Sequence, residues 1–297
     1  MTYHAQMPTA RTMTLTALAM LAFAGNSLLC RLALKDGAID PASFTTLRLV
    51  AGMATLWIVA RWRSSGHGNG HWLSGLALFA YAAAFSFAYQ SLSSATGALL
   101  LFGAVQVTMI SRGVWADERL RLLQSVGMAL ALVGLVALLL PGLAAPPLTG
   151  ALLMLGAGCA WGFYSLRGKG AGDPTAVTAG NFLLACPWAV GLSLLTASTS
   201  RLDAVGVVCA LASGALTSGL GYALWYAVLP RLKAIHASTV QLSVPPLTAL
   251  GGVVLLGEPL TLRLALASVA IIGGIALVLR DKAPAGAASR PAVPGQV

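Results

Sequence analysis

The sequence predicts an all-α integral membrane protein of ten transmembrane helices, arranged as two inverted repeats of five. Three observations predict it. Hydrophobic residues make up 58% of the 297 positions and charged residues only 9%, against about a quarter charged in soluble domains, and the mean hydropathy is +0.83. The apolar residues fall into ten blocks of about 20, the length that crosses a hydrocarbon core of about 30 Å. Finally, turn and charge signals that bound the blocks in the first half return at matching places in the second.

The blocks follow one another between charges, Gly and Pro. After a short polar start, the first runs from Met13 to Ala33, and the second, opened by Asp40-Pro41, from Ala42 to Trp62. The third spans Leu73 to Leu92, the fourth Ala95 to Trp115, and the fifth, behind Asp117-Glu118-Arg119, Leu120 to Leu140. The second set runs Leu148 to Leu166, Thr175 to Leu195, Val205 to Leu229, Ile235 to Gly257 and Leu262 to Leu279. The expected organisation is a cytoplasmic N-terminus (1–12), a first five-helix repeat (13–141), a second (142–280) and a disordered cytoplasmic tail (281–297) rich in Ala, Pro and Gly. No convincing Ala-x-Ala site follows the first block, so a removable signal peptide is not expected.

Inversion follows from arithmetic, because a repeat of five spans must enter the membrane from opposite sides. Ile39-Asp40-Pro41 with Thr45 matches Gly172-Asp173-Pro174 with Thr178, and Asp117-Glu118-Arg119-Leu120 matches Gly257-Glu258-Pro259-Leu260. Of the eighteen Lys and Arg, only Arg31, Lys35, Arg48, Arg201 and Arg263 fall on one side. The other side is therefore cytoplasmic by the positive-inside rule and carries both termini.

The formal charge of +10 is spread singly between apolar blocks, which is topology rather than a nucleic-acid surface. Cys30, Cys159, Cys186 and Cys209 show no ligand spacing and are expected as small buried hydrophobes. No metal or cofactor is predicted. No Asp, Glu or Lys lies deep in a span, which leaves a proton or sodium pathway without its usual carboxylate; His236 is expected at the interface. Arg48, in the first two turns of the second span, is expected to snorkel outward or pair with Asp40, with carboxylate binding as the alternative. Glu118 and Glu258 each precede a helix whose N-terminal dipole a carboxylate suits.

Uncharged polar residues inside spans are few: Asn26 with Ser27, Gln106, Asn181, and Gln241 with Ser243. Each needs a hydrogen-bond partner in hydrocarbon. Gln106 and Gln241 mark the fourth helix of each half as the best pore-lining element. Pro245-Pro246 interrupts the ninth span, as a hinge, a binding wall or a packing kink. Tyr81, Phe85 and Tyr89 recur every four residues on one face of the third helix. Trp161 with Tyr164 on the sixth, and Tyr222 with Trp225 on the eighth, place further rings at depth, where they suit packing or a ring-lined cavity. Trp57, Trp62, Trp72 and Trp115 fit an interfacial belt.

The segment Gly221-Tyr222-Ala223-Leu224-Trp225-Tyr226-Ala227-Val228-Leu229 and the run from Ala237-Ser238 through Pro245 to Gly257-Glu258-Pro259-Leu260-Thr261 resemble the EamA-type members of the drug/metabolite transporter superfamily. Arg48-Leu49 after Thr46 and Asp117-Glu118-Arg119-Leu120 hold the corresponding places in the first half. The resemblance implies ten helices, cytoplasmic termini, a central cavity and export of small metabolites, and is greatest to exporters of aromatic and other amino acids. One departure is the fourth span, where Val105 and Gln106 stand in place of a proline.

The function expected is therefore not enzymatic. It is alternating-access export of amino acids or similar metabolites across the inner membrane, from a cavity walled by helices one, three, four, six, eight and nine. Trp161, Tyr81, Phe85 and Gln106 would contact solute. The expected partners are a small-molecule substrate and the lipid bilayer, not nucleic acid, and a monomer suffices. Efflux of cationic drugs through cation–π contacts is the rival transport reading. A lipid-modifying enzyme is disfavoured by the absence of an Asp-rich or His/Glu cluster.

Overall fold

A computed structural model describes residues 10–63, 69–115, 122–140, 142, 145–167, 173–229, 232 and 240–280. The first half contains α1 (Ala10–Leu34), α2 (Pro41–Trp62), α3 (Trp72–Tyr89), α4 (Ser94–Trp115) and α5 (Leu122–Leu139). The second contains α6 (Leu148–Arg167), α7 (Pro174–Leu195), α8 (Ala204–Val228), α9 (Val244–Leu256) and α10 (Leu262–Arg280). The helices α1 to α8 are long and apolar enough to cross a membrane, while α9 and the apolar part of α10 are shorter. Trp57, Trp62 and Trp72 lie on the outside of the bundle, as an interfacial belt requires. The side chain of Trp115, and Asp117, Glu118, His236 and the tail, lie outside the described residues.

The two halves start their equivalent helices with the same chemistry. At α2 the Asp40 side chain accepts from Ser43 N–H, and at α7 Asp173 accepts from Thr175 N–H; each is followed by proline at the first helical position, where its missing N–H costs nothing. The third helices also match, since His71 caps α3 and Asp203 caps α8.

Inversion is visible in where the connections meet. The α1–α2 and α7–α8 loops pair through Asp40 N–H to Arg201 O and Asp203 N–H to Ala38 O. The α9–α10 loop reaches the ends of α1 and α4 through Glu258, and Arg263 donates to Leu140 O ahead of α6. All odd-to-even connections thus gather at one end, so α1 begins at the opposite end and α6 at this one. The packing obeys the same two-fold exchange. α2 packs on α7 and α5 on α10, while α3 on α6 is mirrored by α8 on α1, α4 on α6 by α9 on α1, and α2 on α8 by α7 on α3.

The structure corrects or sharpens three local readings. Residues Ser213–Leu220 in the middle of α8 wind as a π-helix, a wider turn associated with functional sites; nothing in the apolar pattern signalled it. The interruption expected in the ninth span lies just ahead of the prolines: helical residues 240–241 are followed by a turn at 242–243, and Pro245 and Pro246 then stand in the first turn of α9. Cys159 is exposed on the outside of the bundle and Cys186 half-buried, whereas Cys30 and Cys209 are buried; all four are free thiols.

Candidate solute cavity

Between the halves lies a cavity of about 360 Å³, within the usual size range of small-molecule sites. α4 supplies a continuous stripe: Leu101, Phe102, Val105, Gln106 and Met109, spaced as one helix face requires. α1 contributes Phe23, Asn26 and Ser27, and α3 contributes Tyr81 and Phe85. From the second half come Trp161 and Ser165 of α6 and the small polar Thr217 and Ser218 of the π-helical turn. Tyr222, Trp225 and Tyr226 follow below them, and Gln241 stands ahead of α9. The wall therefore uses α1, α3, α4, α6 and α8 of the six helices expected, with Gln241 ahead of α9 as the ninth span's contribution and Pro174 added from the start of α7.

Rings form the centre of the wall. Trp161 lies 4.9 Å from Tyr81, 5.2 Å from Tyr222 and 5.3 Å from Tyr164, centroid to centroid, and Phe23 meets Tyr222 and Trp225 edge-on. Such pairs contribute about 0.5–1.5 kcal/mol each beyond their buried area. The cluster joins α1, α3, α6 and α8 across the boundary between halves.

Of the residues singled out in the sequence, Trp161, Tyr81, Phe85, Gln106, Asn26, Tyr222, Trp225 and Gln241 come together on this wall. Three do not. Tyr89 is fully buried above it and donates to Ser94 O at 3.2 Å. Tyr164 stands behind Trp161, its hydroxyl accepting from Asn181 Nδ2 at 3.4 Å. Ser243 turns back to donate to Val240 O. The sequence reading overlooked Phe23, Thr217 and Ser218, although the run Ser213-Gly214-Ala215-Leu216-Thr217-Ser218-Gly219 in mid-span was a signal.

Polar residues concentrate at one end of the wall. Asn26 Oδ1 accepts from Ser213 Oγ at 2.7 Å and from Thr217 Oγ1 at 3.3 Å, and Asn26 Nδ2 donates to the Tyr81 hydroxyl at 3.4 Å. Beside this network lies Arg48, and here the expectation of snorkelling is overturned. Arg48 is 2% exposed, and Asp40 is occupied by Ser43 and Arg201 instead. The guanidinium turns inward because α2 and α8 nearly touch there. A Cβ on Gly214 would stand 2.3 Å from Arg48 O, and the π turn presents Ser218 Oγ to Nε at 3.3 Å. Nη2 donates to the Tyr81 hydroxyl at 2.9 Å, and Cζ stacks 5.2 Å from the Tyr81 ring and 4.9 Å from Phe85.

Beyond Arg48 the bundle is closed. Arg31 Nε donates to Glu258 Oε1 at 3.0 Å and Arg31 Nη1 to Tyr89 O at 2.9 Å. Glu258 Oε2 accepts from the backbone N–H and hydroxyl of Ser94 at the head of α4. Glu258 does cap a helix, but α4 of the other half rather than its own α10. From this seal the wall runs the other way, to Met109, Ser165, Pro174 and Leu229 near the helix ends on the side where α1 begins.

Two inverted five-helix halves around a central cavity are a transporter architecture, and comparison with known proteins is consistent with it. The EamA-like transporter family matches the chain twice, over residues 10–140 and 148–280, and the chain belongs to that family of multi-pass membrane proteins. It is 58% identical over 278 residues to an uncharacterized protein of Pseudomonas aeruginosa, covering 93% of this chain and 97% of that one. It is 34% identical over 117 residues to the threonine/homoserine exporter RhtA of Escherichia coli, a match spanning 38% of this chain and 39% of the exporter. A solved crystal structure aligns with a TM-score of 0.66 at 20% identity, over 90% of this chain and 97% of that one, which speaks to the fold alone.

Proposed function

We propose that this protein exports amino acids or closely similar small metabolites across the inner membrane by alternating access, with both termini in the cytoplasm. The observation that carries the reading is the ring-lined cavity between the two halves, which runs from mid-bundle to the helix ends on the terminal side and is sealed at the other by Arg31, Glu258 and Ser94. With the termini cytoplasmic, this arrangement supports loading from inside the cell. The rings accept an apolar side chain, and the hydroxyls and amides of Asn26, Gln106, Thr217 and Ser218 accept polar groups without demanding one partner. Selectivity is then broad, since one methylene in an apolar pocket changes binding by only about 1–3 kcal/mol. The RhtA likeness, though it covers under half of that exporter, supports the same class of solute.

The drug-efflux alternative is weakened by charge. The nearest buried charge to the wall is the cation of Arg48, and among the described residues no carboxylate lies within a helix, so a cationic drug meets repulsion. Uptake of labelled phenylalanine, threonine and methionine into proteoliposomes, beside Trp161→Ala, tests the proposal. Saturable uptake that Trp161→Ala reduces is expected; no uptake above empty liposomes for any of the three amino acids overturns the amino-acid assignment.

A further inference from the structure

Arg48 is an anomaly for a residue that only holds helices together. It stands eight positions past the Asp40 cap, about 10 Å into the helix at 1.5 Å per residue, in the hydrocarbon zone. Taking a guanidinium out of water costs several kcal/mol unless charge and hydrogen bonds compensate. Its compensation is incomplete. Nε and Nη2 find neutral hydroxyls, two rings lie beneath the plane, and Nη1 is fully buried with no hydrogen-bond partner. The described acidic residues, Asp36, Asp40, Asp173, Asp203 and Glu258, all stand in connections or caps, and Arg48 makes no ion pair with any of them. A purely structural tie between α2, α3 and α8 would be served as well by a neutral amide.

The placement of Arg48 supplies a reason for the charge. Its hydroxyl partners Tyr81 and Ser218, and the Phe85 ring it covers, all line the cavity, so one layer of side chains separates the guanidinium from solute. Asn26 holds that layer from the cavity side through the Tyr81 hydroxyl. Resting on the reading of this cavity as an amino-acid site, we infer that Arg48 is its anion pole and receives the carboxylate of the solute. Small movement of the Tyr81 ring exposes Nη1 and Nη2, which form a parallel fork to the two carboxylate oxygens, and the Tyr81 hydroxyl turns from accepting to donating. The solute side chain then points down the rings toward Trp161 and Tyr222. The substrate class is an α-amino or related carboxylic acid with an apolar or neutral side chain, bound carboxylate-first toward the sealed end.

The test is binding by the full-length purified protein in micelles, read by quenching of its tryptophan fluorescence, since Trp161 and Trp225 line the cavity. Phenylalanine, 3-phenylpropionate and phenylalaninamide are titrated into the wild type, Arg48→Gln and Arg48→Lys. The wild type should bind the two carboxylates at least tenfold more tightly than the amide. Arg48→Gln should reduce that gap below twofold by weakening the carboxylates alone, and Arg48→Lys, which keeps the charge but not the fork, should retain part of it. A wild type that does not distinguish acid from amide, or a gap that survives in Arg48→Gln, overturns the anion pole while leaving the amino-acid reading standing. Should Arg48→Gln not assemble, an unchanged gap in Arg48→Lys overturns the inference and a threefold or greater loss supports it. Failure of all three compounds to bind overturns the anion pole and the amino-acid reading together.

Discussion

Arg31 and Glu258, 227 positions apart in the chain, form a 3.0 Å ion pair that joins the end of α1 to the loop leaving α9. Because Glu258 also holds the head of α4, one carboxylate ties both halves together over the cavity. Glu258→Ala leaves Arg31 Nε and the Ser94 N–H without their acceptor, while Arg31 Nη1 keeps its backbone carbonyls, at a cost of up to about 1–3 kcal/mol for each part-buried group left unsatisfied. The expected outcome is a melting temperature in detergent lowered by several degrees, with faster labelling of a cysteine placed at Leu92 by an impermeant reagent from the sealed side. Unchanged melting and labelling would show that the seal rests on packing alone.

Helix contact at Arg48 depends on a missing side chain. A Cβ at Gly214 would meet Arg48 O at 2.3 Å and Ala51 Cβ at 2.7 Å, atoms that cannot swing away. Gly214→Ala should destabilise by about 1–3 kcal/mol, the usual cost of overpacking. Gly191 in α7 has nothing within 4 Å of its built Cβ, and Gly191→Ala should be neutral or stabilising by up to about 1 kcal/mol through helix propensity. Thermal unfolding of the two variants side by side checks the contrast.

Trp161 stands at the junction of three ring pairs. Losing two ring contacts to an apolar solute, at about 0.5–1.5 kcal/mol each, should raise its KM about fivefold or more in Trp161→Ala, with Trp161→Phe intermediate. Transport kinetics across a series of side-chain sizes is the measurement, and the smallest side chains should be affected least.

Asp40 gives an acid dependence. Burial pushes its pKa up, but hydrogen bonds from Ser43 and the Arg201 backbone outweigh this and hold it below the ordinary aspartate value. A depressed folded pKa means stability that is fully present above the unfolded value and lost as pH falls through the folded one. The wild type should therefore lose melting temperature at the acid end of the carboxylate range. Asp40→Asn should start lower at neutral pH and show less of that acid loss; melting curves between pH 3 and 7, about the range of carboxylate titration and its plateau, decide it.

The ten-helix frame was legible because hydrocarbon imposes it: block length, the Asp-Pro starts at Asp40 and Asp173 and the odd repeat number each follow from one-dimensional rules. The ring-and-amide wall was legible in part, since a polar or aromatic residue in mid-span has few places to go. Arg48 was not. A long side chain two turns from a helix end can reach either interface or interior, and the choice was made by Gly214 and the π turn on a helix 170 residues away from it in sequence at Ser218. Tyr89 fell out of the wall for a similar reason, because its four-residue spacing fixes a face but not a depth along it. Glu258 was read correctly as a cap but assigned to its neighbour in sequence, whereas tertiary packing gave it to α4.

The eighth position after each capping aspartate is Arg48 in one half and Asn181 in the other. Arg48 faces Tyr81 and Ser218, while Asn181 is held by the His71 N–H at 2.8 Å and donates to Tyr164. A rocking motion that exchanges the roles of the two halves would carry one backbone arrangement into its mirror partner, yet it cannot exchange a guanidinium for an amide. On the proposed alternating-access mechanism the two end states would thus be unequal in energy by construction, and the resting population would lean toward one face of the membrane even with no solute and no gradient.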